Sequence, residues 1–299
     1  MSPSGRPETP DRLLQRLEWR VLKRLDGRMQ GEYRTFLHGQ GIDVAELREY
    51  EYGDDVRHID WNVSARMDSP FVRTYLEDRE LTAWLLLDRT PSMTFGLTER
   101  PKSAVLVELA SALARLLSRG GNQVGALLLN GSAVATIAPR TGRNHVLRIA
   151  QQLMKPVDPG PTATDLSMFL ATANRTIPRR SLVILVSDFI SAPGWERDLA
   201  ALTQRHEVVA IHLRDPRESE IPDAGLIVIE DAETGELLSV DTSDPEFRMR
   251  FREAAEQNQA SLQTLTRQAR VELHPVSTED DLVEALVRIV DRRRRRRLR

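Results

Sequence analysis

From about residue 81 onward, short apolar runs of strand length alternate with segments whose apolar residues recur at helical spacing. The run SLVILV (181–186) is apolar throughout, as expected of a central strand that is covered on both faces. Segment 103–117 predicts a helix, whereas 124–130 and 132–139 predict two strands joined through Asn130-Gly131, a strong hairpin signal. The alternation predicts an α/β fold with a doubly wound, mostly parallel sheet between two layers of helices.

The chain before residue 81 has a different character. Residues 13–25 carry apolar side chains at helical spacing and predict an amphipathic helix, and the stretch from about 30 to 80 is polar and rich in turn signals. The segment FVRTYLEDRELTAWLLLD then predicts one or two strands. We therefore divide the chain into an N-terminal helix with an irregular extension (1–80), an α/β domain (81–291) and a basic tail (292–299).

Composition excludes several classes of protein. Of 299 residues, 40% are hydrophobic and 29% charged, and the formal net charge is -2, so bulk charge indicates neither nucleic acid nor any other partner. The absence of cysteine excludes disulfides, thiolate metal sites and cysteine nucleophiles. The N-terminus lacks a signal-peptide core, and the apolar runs are too short to cross a bilayer. These features predict a cytoplasmic protein.

Two of the predicted strands end in an acid, at Asp88 and at Asp188. A third loop, PGPTATDL, brings Thr162, Thr164 and Asp165 to the start of a helix. Ligands of doubly wound sheets bind beyond the carboxyl ends of the strands, so these loops are expected to converge on one crevice. Carboxylates and hydroxyls without sulfur or imidazole form a hard-oxygen set that suits a magnesium-like ion.

The spacing D-R-T-P-S resembles the D-x-S-x-S metal-ion-dependent adhesion site of von Willebrand factor A domains. PTATDL is similar to the later loop of that family that supplies a threonine, and LVSDF to the strand end that supplies an aspartate. The resemblance implies a von Willebrand factor A fold and Mg²⁺ or a similar divalent cation. The metal-site residues that it implies are Asp88, Thr90, Ser92, Thr164 and Asp188.

The match has departures from the family pattern. Thr90 replaces the usual first serine and keeps the hydroxyl group. Thr164 follows alanine where the wider superfamily commonly has glycines, which leaves Thr162 as a competing candidate. Arg89 adds a cation beside the site, and a guanidinium that pointed inward would weaken metal binding.

The segment LREYEYGDDVRHIDWNVSAR (47–66) resembles the signature of the bacterial family known as domain of unknown function 58. Genes of that family commonly lie beside those of MoxR-type AAA+ ATPases. The resemblance implies a non-enzymatic protein-interaction module, an adaptor or partner of such an ATPase, that binds an acidic side chain through the cation. The charged residues of this segment could form a site of their own, made of Asp54, Asp55, Arg57, Asp60 and Arg66. We favour the alternative of a turn with many ion pairs, in which Ile59 and Trp61 pack into the core.

Rival functions leave weaker signals. A magnesium-dependent phosphatase of the haloacid-dehalogenase type also begins from a strand-end aspartate, but it usually has a second aspartate where this chain has Thr90, and the later loops offer no suitable lysine. No phosphate-binding G-x-x-x-x-G-K loop is present.

His206 and His212 flank one strand without a third ligand nearby, which argues against zinc. The arginines at 292–297 suit nucleic acid, acidic lipid or simply a solvated helix end.

Overall fold

The computed structural model describes residues 9–17, 21, 23–24, 46–67, 69–74, 82–96, 100–119, 121–157, 164–230 and 237–297. The strands are β1 (Glu46–Glu49), β2 (Phe71–Thr74), β3 (Thr82–Asp88), β4 (Gln123–Asn130), β5 (Ala133–Arg140), β6 (Leu182–Ser187), β7 (Glu207–Arg214), β8 (Leu226–Glu230), β9 (Leu237–Asp241) and β10 (Leu273–Ser277). The α-helices are α1 (Pro10–Leu17), α2 (Trp61–Met67), α3 (Lys102–Arg119), α4 (Arg143–Leu153), α5 (Leu166–Thr176), α6 (Trp195–Arg205), α7 (Pro245–Gln268) and α8 (Leu282–Arg297). Short 3-10 turns lie at Val56–His58, Pro91–Thr94 and Pro216–Glu218.

Six strands form one sheet in the order β10-β7-β6-β3-β4-β5. All neighbours run parallel except β4 and β5, which are antiparallel and joined at Gly131, where a positive φ of 58° suits glycine. The predicted mostly parallel sheet and its hairpin are therefore confirmed. The strand order reverses between β3 and β6, so the crevice of a doubly wound fold lies at their carboxyl ends.

Helices cover both faces of the sheet because its central strands are apolar on both sides. One face of β3, including Leu85 and Leu87, packs against α1, α3, α4 and α8. The other face, including Trp84 and Leu86, packs against α5, α6 and α7. Leu13, Leu14 and Leu17 of α1 belong to the first of these cores. The helix that the sequence assigns to the extension before residue 81 thus contributes to the core of the sheet domain.

The extension contains an antiparallel pair of strands, β1 and β2. The short helix α2 lies between these two strands in the chain. Arg48 donates a hydrogen bond to Asp54 at 2.6 Å, and Asp55 caps the turn that begins at Val56, so the ion-paired turn is present. Trp61, however, is 70% exposed. The expectation that Trp61 packs into the core is wrong, because Trp61 begins a helix that has no buried residue, whereas Ile59 is half-buried.

The last helix, α8, continues without a break into the arginine run. Arg293 is buried and its guanidinium donates hydrogen bonds to Glu207 at the start of β7. This residue of the basic tail is therefore structural, so the tail is more than a solvated helix end. Among the described residues, no helix is long and apolar enough to span a membrane.

We expect Arg293→Ala to lower the free energy of unfolding by about 1–3 kcal/mol, because Glu207 then loses its charge-assisted hydrogen bonds. Arg292→Ala, at an exposed position of the same helix, is the matched control and should change it by less than about 0.5 kcal/mol. Urea unfolding of both variants measures the difference. Equal effects would show that the arginines act only as a solvated helix end.

Candidate functional site

The candidate site lies where β3 and β6 end side by side at the crossover of the sheet. The two strands pair in parallel, with Leu87 opposite Val186, so Asp88 and Asp188 leave the sheet at the same edge. The side chains of both aspartates are almost completely buried. The predicted convergence of the two strand ends is confirmed.

Asp88 organises the D-R-T-P-S turn through its own carboxylate. Oδ1 accepts hydrogen bonds from the backbone N–H of Thr90 at 3.0 Å and from its hydroxyl at 2.6 Å. The hydroxyl oxygens of Thr90 and Ser92 lie 3.2 Å apart, and both residues are buried. Pro91 begins the 3-10 turn that holds this geometry. An acid and two hydroxyls are thus brought together at the end of one strand.

Ser187 joins the two strand ends and was not singled out in the sequence. Its hydroxyl donates to Asp88 Oδ2 at 2.6 Å and accepts from the backbone N–H of Phe189 at 2.9 Å. Burial, together with the negative charge of Asp188, raises the pKa of Asp88 to about 6. The hydrogen bonds that Asp88 accepts from Ser187 and Thr90 act in the opposite direction. Asp88 is consequently protonated at a higher pH than an ordinary aspartate.

Asp188 has a different partner, which sequence reasoning missed. The ammonium of Lys102 lies 2.7 Å from Asp188 Oδ2 and also contacts Glu218 Oε1. Lys102 is the first residue of α3 and is completely buried. Burial disfavours its charge, but the two carboxylates outweigh that effect and raise the pKa of Lys102. A lysine in the first turn of a helix opposes the helix dipole, and this was the available signal in the sequence.

Thr164 lies beside the same edge, immediately before α5. It is buried, and its carbonyl accepts a hydrogen bond at 2.9 Å from Ser191, which follows β6. Ser191 also accepts from the N–H of Leu166, so this hydroxyl ties the two loops together. Asp165 is the N-cap of α5 and accepts from Met168 N–H. The competing candidate Thr162 lies outside the described residues.

Arg89 points away from the carboxylates. Its guanidinium donates to Asn130 Oδ1 at 3.0 Å and to the carbonyl of Lys155. Partial burial lowers the pKa of Arg89. The guanidinium, which would weaken a metal site only if it pointed inward, therefore lies outside the hydrogen-bonded cluster of Asp88.

Clefts flank the site on two sides. A cleft of about 430 Å³ beside Asp188 has an aromatic wall that includes Phe189, Trp195 and His212. Phe189 has a φ of 60°, a strained value for a large side chain, and such strain is concentrated at functional sites. A second cleft of about 350 Å³ borders Thr90.

The donor set fits a hard divalent cation in its chemistry. Thr90, Ser92 and Thr164 offer hydroxyl groups, and Asp88 and Asp188 offer carboxylates; all five residues are buried. Among the described residues, no group of three or more His, Cys, Asp or Glu side chains forms a metal site. Burial lowers the pKa of His212 to about 4, so this imidazole is neutral near pH 7 and adds no cation to the site.

The comparison with protein families decides the affiliation of the chain. The model for the family described as "Protein of unknown function DUF58" matches residues 46–261, which covers both the 47–66 segment and most of the sheet domain. The chain belongs to the DUF58 family. The recognition made from the signature segment is thereby confirmed.

Two mycobacterial proteins and two solved structures are similar to this DUF58 chain. The uncharacterized proteins Rv1480 of Mycobacterium tuberculosis and Mb1516 of Mycobacterium bovis are each 37% identical over 283 residues, which cover 94% of this chain and 89% of theirs. An aerotolerance-related membrane protein of Bacteroides fragilis is similar in fold, with a TM-score of 0.51 and 13% identity over 71% of this chain and 99% of that chain. The SpRpn10 VWA domain gives a TM-score of 0.40 at 11% identity, over 69% and 93% of the two chains.

This DUF58 chain has an α/β fold with a six-stranded, mostly parallel sheet between helices, and the Bacteroides fragilis protein shares this fold.

Proposed function

We propose that this chain is a non-enzymatic interaction module that docks a protein partner at the carboxyl ends of β3 and β6. The observation that carries the proposal is the hydrogen-bonded chain from Asp88 through Thr90 to Ser92 at the crossover of the sheet. Such a crevice is where doubly wound folds bind their ligands. The flanking clefts give a partner segment additional surface to contact.

The docking in this proposal depends on a divalent cation, Mg²⁺ or similar. Thr90, Ser92 and Thr164 would hold it through their hydroxyls, with Asp88 and Asp188 as the nearby carboxylates. When bound, such an ion supplies a positive charge that accepts an oxygen ligand from a partner's acidic side chain. The proposed partner is a MoxR-type AAA+ ATPase, which the family resemblance implies.

The phosphatase alternative has less support from the geometry. A nucleophilic carboxylate attacks through an oxygen lone pair. Both oxygens of Asp88 accept hydrogen bonds from hydroxyl groups, which lowers their nucleophilicity. Lys102 does lie in this region, but it comes from α3 and not from the later loops, and its contacts are with Asp188 and Glu218.

We expect Asp88→Ala to weaken binding of the MoxR-type ATPase by about tenfold or more, because the turn then loses the acceptor that orients the Thr90 hydroxyl. Chelation of divalent ions should weaken wild-type binding to a similar degree and should change the variant little. A binding titration of both proteins, in Mg²⁺ and in chelator, measures the effect.

Asp165→Asn is the matched control, since it removes an exposed carboxylate beside Thr164 and retains a good N-cap residue. Its affinity should equal that of the wild type. If Asp88→Ala and chelation both leave the affinity unchanged, the partner docks elsewhere. The next candidate is then the extension, where Tyr52 and Trp61 are exposed.

A further inference from the structure

The buried lysine at the start of α3 has no place in the hydroxyl-and-carboxylate set described above. Its ammonium contacts Asp188 and Glu218, and its side chain is 0% exposed. We propose that the ammonium of Lys102 neutralises the carboxylate of Asp188. A divalent ion therefore binds the partner-free protein weakly and is bound tightly only when a partner contributes a carboxylate. This inference rests on the proposed function and adds the residue that sets its cation affinity.

Both oxygens of Asp188 are already engaged in the structure. Oδ2 accepts from the Lys102 ammonium at 2.7 Å, and Oδ1 accepts from the backbone N–H of Ile190 at 3.1 Å. A divalent ion near Asp188 would meet a carboxylate that a neighbouring ammonium has already neutralised. The ammonium would also repel the ion directly, because the interaction between charges buried to this degree is poorly screened.

The carboxylate of Asp88 compensates only in part for the neutralisation of Asp188 by Lys102. Both oxygens of Asp88 already accept hydrogen bonds from the hydroxyls of Thr90 and Ser187, so this carboxylate too is engaged inside the protein, and Lys102 offsets part of the negative charge of the site. The missing negative charge is what an acidic side chain of a partner would supply. Cation and partner are therefore expected to bind together, each raising the affinity for the other.

The surrounding contacts hold the lysine in this position. Glu218 belongs to the capping box of the 3-10 turn at Pro216–Glu218, and its Oε2 accepts from the N–H of Asp215 at 2.8 Å. The ring of Phe95 lies 5.8 Å from the Lys102 ammonium. The backbone N–H of Lys102 donates to the Phe95 carbonyl. The ammonium is thus anchored on the β7 side of Asp188 and acts as a fixed charge.

The test is the affinity of free Mn²⁺ and Mg²⁺ for the partner-free protein, by calorimetric titration and by the shift in Tm. Wild type should bind weakly and show little shift. Lys102→Met and Lys102→Gln remove the charge, and Gln retains a donor toward Asp188. We expect both variants to bind the cations about 10- to 1,000-fold more tightly, the range in which one neighbouring charge shifts a pKa by about 1–3 units.

Glu218→Gln is the matched control, because it also disrupts the charged triad but leaves the ammonium on Asp188. A merely structural role for Lys102 predicts similar destabilisation in all three variants and no gain in cation affinity for any of them. The inference predicts a gain in the Lys102 variants alone. If they do not fold in chelator, circular dichroism during a Mn²⁺ titration should show that they recover their structure.

The outcomes separate the inference from the function on which it rests. Equal and measurable affinity of wild type and Lys102 variants would overturn the role of Lys102 and leave the cation site standing. No binding by any variant, and no recovery of structure in Mn²⁺, would overturn both the inference and the cation dependence of docking. Tight binding by the Lys102 variants combined with weak binding by the wild type supports both.

Discussion

Lys102→Ala is expected to lower the free energy of unfolding of the metal-free protein by about 3–5 kcal/mol, the usual result of removing one partner from a buried ion pair. The substitution leaves Asp188 and Glu218 facing each other without a compensating cation. Asp188 is almost completely buried, so water cannot replace the lost ammonium there. Urea unfolding in chelator at pH 7 measures the loss.

The contrast is with an ion pair on the surface. Arg250 and Glu246 form an exposed pair on α7, one helical turn apart. Arg250→Ala should therefore cost less than about 1 kcal/mol. Losses of similar size for Arg250→Ala and Lys102→Ala would contradict the view that the Lys102 ammonium is an internal counter-ion.

Asp88→Asn is expected to change the free energy of unfolding in the opposite direction, that is, to stabilise the protein. In the metal-free protein at pH 7 it should raise the free energy of unfolding by roughly 2–3 kcal/mol, because it removes a carboxylate whose charged form is disfavoured by burial and by Asp188. The amide oxygen can still accept from the N–H and hydroxyl of Thr90, and the Ser187 hydroxyl can turn to accept from the amide group.

The gain should depend on pH. The pKa of Asp88 rises from 3.8 to about 6 on folding, so the folded protein binds more protons than the unfolded chain between these values. Wild-type stability from this group therefore falls as the pH rises through about 4 to 6, and the loss is complete above that window. The advantage of Asp88→Asn should be near zero at pH 4 and largest at pH 7.

Unfolding experiments in chelator at pH 4, 5, 6 and 7 on wild type and variant test this directly. Asp188→Asn is the control at the neighbouring carboxylate, and it should be destabilising because Lys102 then keeps only Glu218 as a charged partner. A loss of stability in Asp88→Asn that does not vary with pH would show that the charge of Asp88 is well accommodated in the fold.

The sequence was sufficient for the elements of the sheet domain and for their layering. Runs such as SLVILV at β6 are apolar at every position, and only a strand covered by helices on both faces accommodates such a run. Because parallel strands end at a common edge, the acids at the ends of two predicted strands also predicted that Asp88 and Asp188 would leave the sheet at the same edge. The roles of these residues in binding a cation stay predictions.

The tertiary structure alone decided which charges meet. Lys102 and Glu218 are far apart in the chain, and no local pattern indicates that both contact Asp188. Trp61 was expected in the core, yet its exposure depends on how the extension folds as a unit. Apolar periodicity is a local property that a sequence displays directly, whereas the pairing of buried charges depends on contacts between distant segments, which only the folded chain brings together.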